Sequence, residues 1–83
     1  MIGIIGGTGL SQLNGFSIQE QKWCETPFGE PSSVLCFGDF NGQRVVFLAR
    51  HGIPHKVAPH LINYRANLSA LQQVGVTQVI AVN

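Results

Sequence analysis

An α/β fold built on a mixed central sheet flanked by helices is predicted by three features of this chain. Two apolar runs, Ile2-Gly3-Ile4-Ile5 and Val45-Val46-Phe47-Leu48-Ala49, break at their ends into Gly6-Gly7-Thr8-Gly9 and Arg50-His51-Gly52. Asn41-Gly42 separates two extended segments in the manner of a hairpin turn. A helical stripe over 61–74 then lies between the second run and a third, Val79-Ile80-Ala81-Val82. A hairpin joined to a strand–helix–strand crossover gives a sheet of mixed direction, and such a crossover is right-handed when its strands are parallel.

The elements follow in order. Ile2 to Ile5 reads as a strand buried on both faces, because apolar residues stand on both sides of the alternation. Residues 10–33 show weak periodicity. Asn14-Gly15 and Thr26-Pro27-Phe28-Gly29-Glu30-Pro31 read as turns and an ordered loop, with short strands near Ile18 and Trp23. Val34 to Phe40 and Gln43 to Ala49 form the arms of the hairpin, since Asn and Gly both tolerate the positive φ angles of a type I′ turn. The second arm, rich in β-branched and aromatic groups, is the better interior strand. Pro54 and Pro59 exclude regular structure from 52–60.

Leu61, Tyr64, Leu68, Leu71 and Gly75 recur at spacings of three and four, which predicts a helix over 61–74 with that stripe as its apolar face. His60 or Asn63 can cap its start, and Gly75 suits the residue just past its end. Thr77 to Val82 completes the crossover as a strand.

Size and composition narrow the function. Eighty-three residues make at most one domain, and a chain of this length hides only about 60–65% of its unfolded surface. Charged residues are 11% of the chain against 45% hydrophobic, a balance that suggests surfaces meant to meet more protein. Lys22, Arg44, Arg50, Lys56 and Arg65 are scattered, so no basic stripe for nucleic acid is present. Cys24 and Cys36 lack CxxC spacing and read as two buried thiols in a reducing compartment. The opening residues have no basic n-region, and no run approaches the roughly 20 apolar residues of a membrane span. A cytoplasmic location is the resulting expectation.

The chemistry concentrates at the strand ends, where open α/β sheets place their ligands. Gly6-Gly7-Thr8-Gly9 can turn several backbone N–H groups and the Thr8 hydroxyl toward one anion, or can be a tight turn only. It is neither a Walker A loop, lacking Gly-Lys-Ser/Thr, nor a dinucleotide fingerprint, because the third glycine would fall at Gln12. Arg50 ends a hydrophobic strand, where desolvating a guanidinium is costly without an anion. Its fork fits phosphate, while the competing partner would be one of only four acids in the chain. His51 either donates to the same anion or satisfies backbone groups. His51 and His55 are separated by Gly52 and Pro54, which removes the helical spacing of a zinc pair, and no metal is expected. His60 reads as a polar cap. Asn63, Tyr64, Arg65 and Asn67 crowd a helix start that favours anions, with Arg65 equally suited to solvent or to a neighbouring subunit.

The motifs Ile4-Ile5-Gly6-Gly7-Thr8-Gly9-Leu10, Glu25-Thr26-Pro27-Phe28-Gly29-Glu30-Pro31-Ser32, Leu48-Ala49-Arg50-His51-Gly52, His55, Pro59 and Asn63-Tyr64-Arg65-Ala66-Asn67 together resemble the 5′-methylthioadenosine phosphorylases. These are a branch of the trimeric purine nucleoside phosphorylases. The resemblance runs over all of 1–83, equivalent to about the first third of a typical member, so a piece of this extent alone is expected to be inactive. It implies phosphorolysis of a 5′-methylthio-purine nucleoside to free purine and 5-methylthioribose 1-phosphate, with phosphate as co-substrate, no cofactor and a homotrimeric assembly. By the same likeness Thr8, Arg50, His51 and Asn83 correspond to phosphate-contacting positions. His55 and Pro59 correspond to loop residues beside the phosphate and ribose. None would be a covalent nucleophile, since phosphate plays that part. Ala81-Val82-Asn83 departs from the Thr-Thr ending of many adenosine-specific relatives and looks closer to the bacterial 5′-methylthioinosine phosphorylases. The alternatives are 5′-methylthioadenosine or general purine nucleoside phosphorolysis, a Rossmann-like nucleotide-binding fragment, and a non-catalytic assembly module.

Overall fold

The computed structural model describes residues 1–7, 16–52, 58 and 61–82. Its elements in chain order are β1 Ile2–Gly6, β2 Phe16–Lys22, β3 Leu35–Phe40, β4 Gln43–Ala49, α1 Tyr64–Gln73 and β5 Gln78–Ala81. One sheet holds all five strands in the order β2-β3-β4-β1-β5. β2, β3 and β4 run antiparallel, whereas β4, β1 and β5 run parallel. The mixed sheet read from the sequence is therefore present, with one helix among the described residues.

β1 sits between two parallel neighbours, as its unbroken apolar character requires. β4 is likewise interior, and Val45 to Ala49 are all buried. The hairpin turn between β3 and β4 has Asn41 at φ 51° and Gly42 at φ 84°. Both values are positive, which is the type I′ requirement.

Alternation along the strands divides the core. Ile5, Leu35, Phe37, Val46 and Leu48 face α1 and pack with Ala70, Leu71, Val76 and Cys24. Cys36, Phe47 and Ala49 cluster on the opposite face with Ile4 and Val34. Cys24 and Cys36 are both free and buried.

Two sequence expectations need correction. First, the helix begins at Tyr64 and not at Leu61, which lies in a separate turn closed by its N–H on the Ala58 carbonyl, 2.9 Å. The buried face is Ala66, Asn67, Ala70 and Leu71, while Tyr64 and Leu68 remain 56% and 51% exposed. Ala66 and Ala70 are fully buried, and Ala70 and Leu71 are the helix residues that pack with the strands. Tyr64 and Leu68 fall on the adjoining flank. Second, the segment before the loop is one seven-residue strand, β2, with its register shifted between Ile18 and Glu20. Trp23 follows that strand and does not nucleate another. Ser17 to Lys22 are exposed, so this edge strand carries little apolar alternation to read. Its bulge and its charged residues suit an edge.

The helix ends as its sequence indicates. Gly75 has φ +95°, its N–H bonds to the Gln72 carbonyl at 3.1 Å, and the Val76 N–H reaches back to Leu71 at 3.2 Å. That pair of bonds is a Schellman cap, with Val76 and Leu71 as its apolar contact. Gly3 is what permits the approach: a Cβ there would stand 2.9 Å from Val76 Cγ1 and 3.4 Å from the Leu71 methyl groups. Gly3→Ala should destabilise the fold by about 1–3 kcal/mol through overpacking. A lower urea midpoint at unchanged m-value is the expected result, and an unshifted midpoint would contradict this packing.

Candidate functional site

The three parallel strands end along one edge of the sheet, β4 at Ala49, β1 at Gly6 and β5 at Ala81. The Arg50 backbone N–H extends the ladder to the Gly6 carbonyl at 2.9 Å, and the Val82 N–H extends it to Ile5 at 2.8 Å. Past Ala49 the chain turns at once: the Gly52 N–H returns to the Ala49 carbonyl at 3.0 Å, with Gly52 at φ +90°. A side chain here would be strained, so the glycine allows Arg50 and His51 to stand at the rim of the sheet.

Arg50 reaches across the end of β1. Its Nη1 donates to the Val82 carbonyl at 2.9 Å. Among the described residues the guanidinium meets that carbonyl and no carboxylate. One carbonyl uses one of five N–H donors and does not neutralise the charge. Arg50 and His51 are both half-buried and form the polar end of a concave space of about 550 Å³. Ile5, Ile62, Tyr64, Leu68, Val79 and Ala81 supply its apolar walls. A cationic fork beside an apolar wall can hold an anion joined to an apolar body.

Of the residues singled out from the sequence, the structure brings Arg50 and His51 together at the strand ends. Thr8, His55, Pro59 and Asn83 lie outside the described residues, as does His60. Gly7 and Val82, their described neighbours in sequence, follow β1 and β5 directly. Among the described residues no group of three His, Cys, Asp or Glu is placed to hold a metal.

The helix start is engaged by the protein itself. Asn63 Oδ1 accepts the Ala66 N–H at 3.1 Å as the N-cap, and its Nδ2 donates to the Phe28 carbonyl at 2.8 Å. The Thr26–Gly29 turn it meets is closed by Gly29 N–H to Thr26 at 3.2 Å and by the Thr26 hydroxyl to Gly29 at 2.7 Å. Gln73 Nε2 donates to the Glu25 carbonyl at 3.2 Å from the other end of the helix. Asn63 therefore caps the helix, as the sequence indicates, and in addition fastens a loop.

Among the described residues two polar side chains are buried, Ser33, which the sequence does not single out, and Asn67, which it places at the helix start. Asn67 is 0% exposed and Ser33 4%. Asn67 Oδ1 accepts the Ser32 N–H at 2.8 Å and its Nδ2 donates to Ser32 Oγ at 3.1 Å. The usable signal was the four-residue spacing of Asn63 and Asn67, which puts both amides toward the same loop. The thiols offer no competing chemistry: burial pushes the Cys36 thiol up, only partly opposed by the Gln21 amide that donates to its sulfur at 3.7 Å. A thiol held protonated is a poor nucleophile.

An arginine at the carboxyl ends of parallel strands stands where the class of α/β proteins with open sheets places its ligands. Within that class this chain belongs to the phosphorylase superfamily, whose sequence pattern matches residues 1–83. It is 52% identical over 80 residues to a probable S-methyl-5′-thioinosine phosphorylase of Pseudomonas syringae pv. tomato, covering 96% of this chain and 32% of that one. It is 46% identical over 80 residues to the S-methyl-5′-thioadenosine phosphorylase of Ciona intestinalis, covering 96% and 29%. Among solved structures, a methylthioadenosine phosphorylase from an antarctic soil metagenomic library superposes with a TM-score of 0.86 at 42% identity, over 96% of this chain and 28% of that one. The chain thus spans about a third of the length of these relatives.

Asn63→Ala should cost about 1–2 kcal/mol, because it removes a cap and the loop tie together. Chemical denaturation should show this loss, with Asn63→Asp recovering only the cap. Equal stability of Asn63→Ala and the parent would remove Asn63 from this role.

Proposed function

We propose that this chain forms the phosphate-binding part of a nucleoside phosphorylase acting on 5′-methylthio-purine nucleosides, with the 6-oxopurine 5′-methylthioinosine preferred. The observation that carries the reading is Arg50, held between β1 and β5 with no carboxylate partner among the described residues, in a chain of phosphorylase lineage. The preference for inosine is supported by Ala81-Val82-Asn83 and by similarity to probable thioinosine phosphorylases. Similarity to thioadenosine phosphorylases keeps the 6-aminopurine as the alternative.

The reaction makes particular demands. As the C1′–N9 bond breaks, positive charge grows on the ribose and the purine departs with the electron pair, taking up a proton. A phosphate oxygen then bonds to C1′, giving 5-methylthioribose 1-phosphate. Phosphate must be fixed before bond breaking, so that its charge already faces the developing cation. Arg50 and His51 supply the fixed charge and donor, with Thr8 and Asn83 as further phosphate contacts and His55 and Pro59 as the adjoining loop. Phosphate is itself the nucleophile, so the reading calls for no cofactor, no metal and no covalent enzyme intermediate. It places the enzyme in the cytoplasm, in purine salvage, as a homotrimer with one nucleoside phosphorylase domain per subunit. The half-exposed Leu68 and Ile80 and the more exposed Leu61 are consistent with surfaces that meet further protein.

In full-length enzyme, Arg50→Ala should lower kcat/KM for phosphate by about 10²–10³-fold, and Arg50→Lys should recover part of it. Phosphate saturation kinetics identical to the parent would defeat the assignment. Substrate class is read separately. Chromatography of reaction mixtures should show hypoxanthine released from 5′-methylthioinosine faster than adenine from 5′-methylthioadenosine, and the reverse order would overturn the 6-oxopurine preference. Nucleotide binding without phosphate-dependent cleavage would favour the Rossmann-like alternative.

A further inference from the structure

Ser33 stands where the antiparallel side of β4 runs out of partners. β3 pairs with β4 only as far as Leu35 opposite Leu48, while β4 continues one residue further to Ala49. Adjacent N–H groups of a strand point to opposite neighbours, so Arg50 donates to β1 and Ala49 donates toward β3. There the Ser33 hydroxyl accepts the Ala49 N–H at 3.0 Å and donates to the Val34 carbonyl at 2.8 Å. A side chain thus replaces the missing rung of the ladder at the last residue before Arg50.

That hydroxyl is itself positioned. Asn67 grips both the N–H and the hydroxyl of Ser32, the residue before it. Ser33 and Asn67 are the buried polar side chains of the described core, and no buried side-chain nitrogen or oxygen of the described residues lacks a partner. Both belong to one connected path from α1 through Ser32 and Ser33 to the Ala49 amide. On the other flank, Arg50 N–H holds Gly6 at 2.9 Å. The turn carrying Arg50 and His51 is therefore clamped on both sides, by β1 on one and by the Ser33 hydroxyl on the other.

We infer that Ser33, steadied by Asn67, is a positioning residue for the anion site, fixing the backbone from which Arg50 and His51 project. The inference rests on the proposed phosphate role of Arg50 and adds the residues that hold it in place. A buried N–H deprived of its acceptor forces local rearrangement, and in preorganised sites a displacement near 1 Å is enough to weaken binding of the reacting group strongly.

The test is steady-state kinetics on full-length enzyme. Ser33→Ala should raise KM for phosphate about tenfold, with a smaller change in KM for the nucleoside, and Ser33→Thr, which keeps the hydroxyl, should restore it. Asn67→Ala should shift the phosphate KM in the same direction. Gly75→Ala, which strains the helix end far from the strand tips, serves as a destabilised control whose phosphate KM should stay at the parent value. Where Ser33→Ala does not fold, Ser33→Cys gives the same reading with a much weaker acceptor of similar size. A phosphate KM within about twofold of the parent for the Ser33 variants, or an equal shift in Gly75→Ala, overturns the positioning role. If Arg50→Ala is sensitive and Ser33→Ala is not, this inference alone fails. If Arg50→Ala is also silent, the phosphate reading beneath it fails.

Discussion

One residue ties three strands together where they end. Arg50 gives its backbone N–H to β1 and its guanidinium to the carbonyl that follows β5, while it prolongs β4. Parallel neighbours cannot be joined to one another by hairpins. Their tips must be held by something other than the turn that joins them. Here the holding group is also the charged group, so the geometry of the sheet edge and the electrostatics of the site are set by the same side chain.

That edge is steadied from behind by an unusual division of labour within α1. Its buried face is Ala66, Asn67, Ala70 and Leu71, so Leu71 supplies most of its apolar bulk. Gly3 on β1 leaves room for the Leu71 and Val76 side chains, which pack with Ala70 in the same cluster. The polar residues Asn63, Asn67 and Gln73 meanwhile hold the Glu25–Ser33 loop along the helix. Residues far apart in sequence thereby converge on the turn after β4. Most of the tie-down is hydrogen bonding to backbone carbonyls and amides, which fixes position more than it adds net stability.

The legibility of these features in the sequence follows from how local their causes are. The hairpin at Asn41-Gly42 and the cap at Gly75 were readable because each depends on one residue's backbone freedom. β1 and β4 were readable because burial on both faces leaves a continuous apolar run. β2 was not, since an exposed edge strand carries no such pattern. The helix stripe misled for a physical reason: periodicity reports which residues share a face, not which face touches the sheet. Leu71 belongs to both the stripe and the buried face, but Ala66, Asn67 and Ala70, which the stripe left out, make up the rest of that face. Arg50 and His51 stood out as charged and polar groups ending an apolar run. Ser33 did not, because its importance arises only when β3 leaves the ladder one residue before β4 does.

The exposed flank of the helix and the cationic rim belong to one space, and this bears on the chemistry. Tyr64, Leu68, Val79 and Ala81 give a wall with little capacity to solvate charge, so an ion entering beside it depends on Arg50 and His51. An arginine so placed is costly to desolvate without a counter-ion. An anion that meets it offsets this cost and is held more tightly than it would be by an exposed lysine, whose compact charge stays well hydrated. For the proposed phosphorolysis that difference would be useful in one direction only. The dianion must be bound firmly enough to be present as the glycosidic bond opens, yet keep an oxygen toward C1′. In the reading proposed above, an arginine already committed to one carbonyl would orient phosphate together with His51, Thr8 and Asn83 without surrounding it, leaving one face of the ion for the sugar.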